Sequence, residues 1–128
     1  MDINKMKSDL RMQNLHFSEC TITRSAVIEN GPMTFDLQKD ITKSDGGYIV
    51  TLTLTINKEN NDLNVRVVAS ANFSMESENE TLVKSIMEAN TVAIMFPFIR
   101  SQVSLLTTQP GMVPIVLPPI NTAKFASN

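Results

Sequence analysis

The spacing of apolar residues changes once along this chain, and that change limits the folds open to it. From Leu10 to Met75 apolar side chains recur at about every second position, the period of a half-buried strand; beyond Met75 they recur every third or fourth, the period of a helix against a core. Leu10 and Met12 open a first strand that continues through Leu15, Phe17, Cys20 and Ile22, and a phase change near Ser18 predicts a bulge. Asn30-Gly31-Pro32 interrupts the pattern, and Met33-Thr34-Phe35-Asp36-Leu37 restarts it. After the turn signal Asp45-Gly46-Gly47, Val50, Leu52, Leu54 and Ile56 fall on one face with threonines on the other. The polar residues 57–62 predict another turn, and Leu63, Val65, Val67 and Ala69 then alternate as far as Phe73-Ser74-Met75. Four strands joined by short turns predict an antiparallel sheet.

In Ser77-Glu78-Asn79-Glu80, Glu80 follows a serine by three positions, as in a capping box, and Leu82, Val83, Ile86 and Met87 recur at helical spacing. Asn90-Thr91 and Pro97 predict a break within residues 90–96, with Pro97 in the first turn of a second helix through Phe98, Ile99, Val103, Leu105 and Leu106. Residues 112–120 hold too many prolines for a helix and are expected to be extended. The predicted class is α+β, a four-stranded antiparallel sheet with helices packed on one face. The stretch 92–106 is apolar around much of its circumference, more than one face of a small sheet can cover, so association through this helix is expected. At 128 residues and 42% hydrophobic content, one domain spanning residues 1–128 is expected, with a core that needs neither disulfide nor metal.

The same residues exclude several functions. A formal net charge of −2 supplies no field for nucleic acid. Met1-Asp2-Ile3-Asn4-Lys5 does not open an apolar leader, and the longest apolar run, 92–99, is far short of the roughly 20 residues that span a bilayer, so no membrane insertion and a cytoplasmic location are expected. His16 and Cys20 are each the only residue of their type, and four positions along a strand separate them by roughly 13 Å. Glu76, Glu78 and Glu80 suit the positive end of a helix dipole. No catalytic residue, metal ligand or cofactor site is nominated, and an enzyme is not expected. What stands out is apolar material beside prolines, in Phe96-Pro97-Phe98 and residues 112–120, in a chain with eight methionines. That combination favours a binding protein.

Ile94-Met95-Phe96-Pro97-Phe98-Ile99-Arg100-Ser101-Gln102-Val103, followed by Pro110-Gly111-Met112-Val113-Pro114-Ile115-Val116-Leu117-Pro118-Pro119-Ile120-Asn121, resembles the SecB family of bacterial protein-export chaperones. Gln13-Asn14-Leu15-His16-Phe17-Ser18-Glu19-Cys20-Thr21-Ile22 is similar to the family's first strand, and Phe73-Ser74-Met75 to the end of its fourth. The resemblance runs over nearly the whole chain and is densest in its last third. It implies an ATP-independent holdase for non-native polypeptides, assembled as a homotetrameric dimer of dimers. Met75, Phe96, Phe98, Met112, Val113, Ile115 and Leu117 would line the client groove. It also implies SecA as an export partner through an acidic outer sheet face. Only Glu19 matches that patch; Thr23 and Arg66 stand where acids are expected, and the chain ends at Ala126-Ser127-Asn128, short of most of the family's second helix and its tail. Shortened, less acidic relatives include chaperones dedicated to one client such as an antitoxin, which is the alternative reading. A structural oligomer or ligand-binding protein that lost the groove is the alternative from another class, separated from the others by whether Phe96, Phe98 and Met112 are exposed.

Overall fold

The computed structural model describes residues 10–77 and 79–120; the expectations resting on residues 1–5, Glu78, Asn121 and residues 126–128 lie outside them. The elements are β1 (Arg11–Arg24), β2 (Met33–Ser44), β3 (Gly47–Lys58), β4 (Leu63–Ser74) and α1 (Glu80–Leu106). The four strands lie in the order β1-β4-β3-β2, every neighbouring pair antiparallel. β1 and β2 form opposite edges, so the connection at residues 25–32 crosses the width of the sheet.

The alternation in the sequence becomes two chemically different faces. Val50, Leu52, Leu54 and Ile56 of β3 and Val65, Val67, Ala69, Ala71 and Phe73 of β4 are all 2% exposed or less. Each large aliphatic buried this way contributes about 1.5–3 kcal/mol. The opposite face carries Thr51, Thr53, Thr55, Arg66 and Ser70, with Thr51 and Ser70 hydroxyls 2.8 Å apart across the β3–β4 pair. Asp45-Gly46 closes the β2–β3 hairpin in two residues, with Gly46 at φ +79°. Gly47 is required for another reason, since a Cβ there would lie 2.3 Å from the Phe73 carbonyl oxygen.

β1 carries two register slips. The one between Phe17 and Glu19 is the phase change expected near Ser18; the other, between Gln13 and His16, contains Asn14 at φ +56°. The slip between Phe17 and Glu19 sets His16 opposite Ser70 on the outer face and Cys20 opposite Val67 on the inner face, so the two side chains lie on opposite faces of the sheet.

A single helix of 27 residues follows, not two, and the break expected within residues 90–96 is absent. Thr91 is buried and donates its hydroxyl to the Met87 carbonyl within the helix, so Asn90-Thr91 does not interrupt it. Pro97 stands inside the helix rather than in a first turn. It removes the donor for the Ala93 carbonyl, but Pro97 and Ala93 are both exposed, so that group is open to water. The N-cap is Asn79, whose side chain accepts from the Leu82 N–H at 3.1 Å, while Ser77 Oγ accepts from the Asn79 N–H at 3.2 Å. The capping box expected from Ser77 is thus displaced by two positions.

Val83, Met87, Thr91, Met95, Ile99 and Val103 are buried in steps of four, and Val92 and Phe96 are buried beside them in the same stripe. Each step overshoots a turn by about 40°, so the buried stripe winds around α1 as it crosses the sheet. By length and apolar composition α1 would suffice to cross a bilayer; here that stripe is packed on the sheet, chiefly β4. Ile94, Phe98 and Leu105 remain on the free side, 36%, 46% and 69% exposed.

Candidate functional site

Beyond α1 the chain turns back at Gly111, φ +72°, and residues 113–120 run without regular secondary structure. Two side chains of α1 and that of its C-cap, Thr107, hold this segment. Thr107 Oγ1 accepts from the Ile115 N–H at 2.8 Å, Ser104 Oγ donates to the Ile115 carbonyl at 2.9 Å, and Arg100 Nε donates to the Leu117 carbonyl at 2.8 Å. Positions 100, 104 and 107 share one helix face, so a single stripe does for this segment what a neighbouring strand would do. Ile115 and Leu117 turn into the core, whereas Val113 and Val116 are 85% and 76% exposed.

Two grooves result. The larger, about 610 Å³, lies between Arg100, Ser101, Ser104 and Leu105 of α1 and Val116 and Leu117 of the segment. The smaller, about 230 Å³, lies between the crossing connection and the segment, where Ile28, Met33, Lys58, Met112 and Val113 meet. Arg24 braces the connection, its Nη1 reaching Gln109 Oε1 and the Pro110 carbonyl, each at 3.3 Å. Asp62 braces it from the other side, its Oδ2 accepting from the Glu29 N–H at 2.8 Å and its carbonyl from the Ser25 N–H at 2.9 Å.

The residues expected to line a client groove therefore divide. Val113 and Phe98 are exposed, Met112 is half-buried at the smaller groove, and Phe96, Ile115 and Leu117 lie in the core at 5%, 8% and 3% exposure. Met75 is half-buried beside the start of α1, in a separate hollow with Tyr48 and Val83, at the far end of a helix about 40 Å long. Glu19 is on the outer face, its Oε2 2.9 Å from Arg66 Nε. Met33, Ile28 and Lys58 escaped the sequence reading. For Lys58 a signal existed: it continues the inward phase of Val50, Leu52, Leu54 and Ile56, where a lysine is out of place.

The family model for SecB, preprotein translocase subunit SecB, matches residues 11–127. An uncharacterized protein of Methanocaldococcus jannaschii, MJ0357, is 38% identical over 56 residues, 44% of this chain and 36% of that protein, so the match spans about a third of that relative's length. Among solved structures, the Mycobacterium tuberculosis SecB-like chaperone Rv1957, in complex with a ChAD peptide from the Rv1956 HigA1 antitoxin, superposes with a TM-score of 0.72 at 11% identity, covering 88% of each chain. At that identity the likeness speaks to the fold.

Proposed function

The chain belongs to the SecB family of non-enzymatic chaperones, and we propose that it is an ATP-independent holdase that binds non-native polypeptides along the two grooves beside residues 112–117. The observation that carries this reading is the state of that segment. Its backbone at Ile115 and Leu117 is already hydrogen-bonded to α1, so Val113 and Val116 can stand in water without the segment being loose. A surface of exposed aliphatics and half-buried methionine on a fixed support accepts varied apolar side chains. Phe98 and Val113 contact clients, Met112 flanks them, Met75 offers a separate contact at the other end of α1, and Phe96, Ile115 and Leu117 support the surface from beneath.

Two further parts belong to the proposal. Assembly as a dimer of dimers through the long helix is supported by Ile94 and Leu105, which project from its free side. A cytoplasmic setting goes with it. Service to one dedicated partner is favoured over delivery to SecA by the outer face, where Arg66 pairs with Glu19. The antitoxin peptide bound to the Mycobacterium tuberculosis relative supports the same direction. The test is suppression of aggregation of a chemically denatured client without nucleotide. Protection near stoichiometric ratios supports the reading, and its absence overturns it. Mass spectrometry of proteins retained from the native lysate separates one partner from a spread of secretory precursors.

A further inference from the structure

Asn30 is the one asparagine in the chain that precedes a glycine. Such a pair carries its own reaction, because the glycine nitrogen can reach the asparagine side-chain carbonyl and no Cβ stands in its way. Folded structure suppresses this reaction where it fixes the side-chain amide or engages the glycine N–H in a ladder. Here it does neither. Asn30 and Gly31 are both exposed, in the part of the crossing connection that has no regular secondary structure. Among the described residues no hydrogen bond is made by the Asn30 side chain or by the Gly31 N–H. Asn60 and Asn79 show the contrast: Asn60 Nδ2 donates to Asp62 Oδ2 at 3.0 Å, and Asn79 Oδ1 accepts from the Leu82 N–H at 3.1 Å.

We propose that Asn30 is a site of spontaneous deamidation, which makes the charge of the smaller groove depend on the age of the chain. The Gly31 nitrogen bonds to Cγ of Asn30 and gives up its proton, the Cγ–Nδ2 bond breaks, and ammonia leaves. One water then opens the cyclic imide. Attack at Cγ yields aspartate and attack at the main-chain carbonyl yields isoaspartate; either product adds one negative charge to a formal net charge of −2. The two products differ in what they do to the connection. Aspartate keeps the chain length and sets a carboxylate in the groove wall that also carries Lys58, whose ammonium lies 3.7 Å from Asp62 Oδ1. Isoaspartate adds a main-chain carbon between residues 30 and 31. The chain is pinned on both sides of that point, by the Glu29 N–H on Asp62 Oδ2 at 2.8 Å and by the Glu59 N–H on the Pro32 carbonyl at 3.3 Å, so the added length has to break one of these bonds or push the connection outward.

The test follows the full chain over days at mildly alkaline pH, with acidic forms resolved by ion exchange, located by mass spectrometry of peptides, and isoaspartate counted by enzymatic methyl transfer to its carboxylate. The expected result is loss of the amide at Asn30 ahead of every other asparagine, at a rate within about tenfold of that in the same chain unfolded in urea. Gly31→Ala is expected to slow the reaction about tenfold. That variant keeps the fold, because Gly31 lies outside the left-handed region and a Cβ there would meet Lys58 Cε and Nζ only at 3.9 and 4.0 Å. Asn30→Gln, on an exposed side chain, is expected to abolish the reaction because its ring would be larger. A folded chain that reacts slower than the unfolded one by more than about tenfold overturns the assignment, as does deamidation that begins at another asparagine or runs unchanged in Gly31→Ala. Hydrogen exchange separates the products: the amides of Glu29 and Glu59 are expected to lose protection in the isoaspartyl form and to keep it in Asn30→Asp, which carries the charge alone. Equal protection in both overturns the strain assigned to isoaspartate.

Discussion

Phe96 and Phe98 stand two residues apart on either side of Pro97, yet one is 5% exposed and the other 46%. They represent two regions of α1, the stripe that winds across the sheet and the free side that does not touch it. Composition does not distinguish these regions, since Met95 and Ile99 lie in the first, and Ile94 and Leu105 in the second. The difference arises from the steps of four that carry the buried stripe around the helix. An apolar residue off that stripe is left in water however hydrophobic it is. In a helix that is apolar on all sides, stability is supplied by one stripe and the capacity to bind by the remainder.

The largest expected effect breaks the first region. Phe96→Ala should cost about 3–5 kcal/mol, measured as a shift in the urea midpoint, because it opens a cavity against a sheet face that cannot collapse onto it. Retention of the midpoint would mean that α1 is not held by this stripe. Pro97→Ala comes next and has the opposite sign. Restoring the N–H for the Ala93 carbonyl should stabilise the chain by about 1–3 kcal/mol, read as a higher thermal midpoint. A lower midpoint would mean instead that Pro97 bends α1 to follow the sheet.

These two positions also show where sequence reading stopped. Strand order within the hairpins, the Asp45-Gly46 turn and the slip near Ser18 were legible because each has a local cause: alternation, a turn residue, a change of phase. The slip at Asn14 also had a mark, the change of phase from Leu10 and Met12 to Leu15 and Phe17, which the sequence reading passed over. The continuity of α1 was misread because Asn90-Thr91 and Pro97 are breakers by propensity. Tertiary packing overrode that: burial of Thr91 holds one site in the helix and exposure of Pro97 makes the other cheap. Of the residues expected to meet a client, Phe98 and Val113 are exposed, while Ile115 and Leu117 are turned inward, their backbone hydrogen-bonded with Thr107, Ser104 and Arg100. That pairing of an extended segment with a helix face has no periodic signature.

The second region is tested by Phe98→Ala. Its expected cost to the stability of the chain is under about 1 kcal/mol, with the loss falling on client protection, measured as a higher molar ratio needed to suppress aggregation. A cost approaching that of Phe96→Ala, and rising with protein concentration in unfolding experiments, would show that a second copy buries Phe98 in the folded species.

The smallest effect extends the comparison to the outer sheet face, away from α1. Glu19 and Arg66 are 39% and 49% exposed, and their contact at 2.9 Å is a surface pair. Arg66→Glu should lower stability by roughly 0.5 kcal/mol, and most of that should vanish in high salt, measured by urea unfolding at two ionic strengths. The substitution adds an acid beside Glu19 on a face that also carries Asp36 and Asp40, so the same variant asks whether charge on this face governs binding to SecA. Binding of SecA by Arg66→Glu but not by the unmodified chain, read by calorimetry, would mean that the charge of the outer face decides that partner. Failure of both to bind would mean that the determinant lies elsewhere. In either case little stability is at stake, because Arg66 is 49% exposed on the outer face, whereas the stripe of α1 is buried against the other.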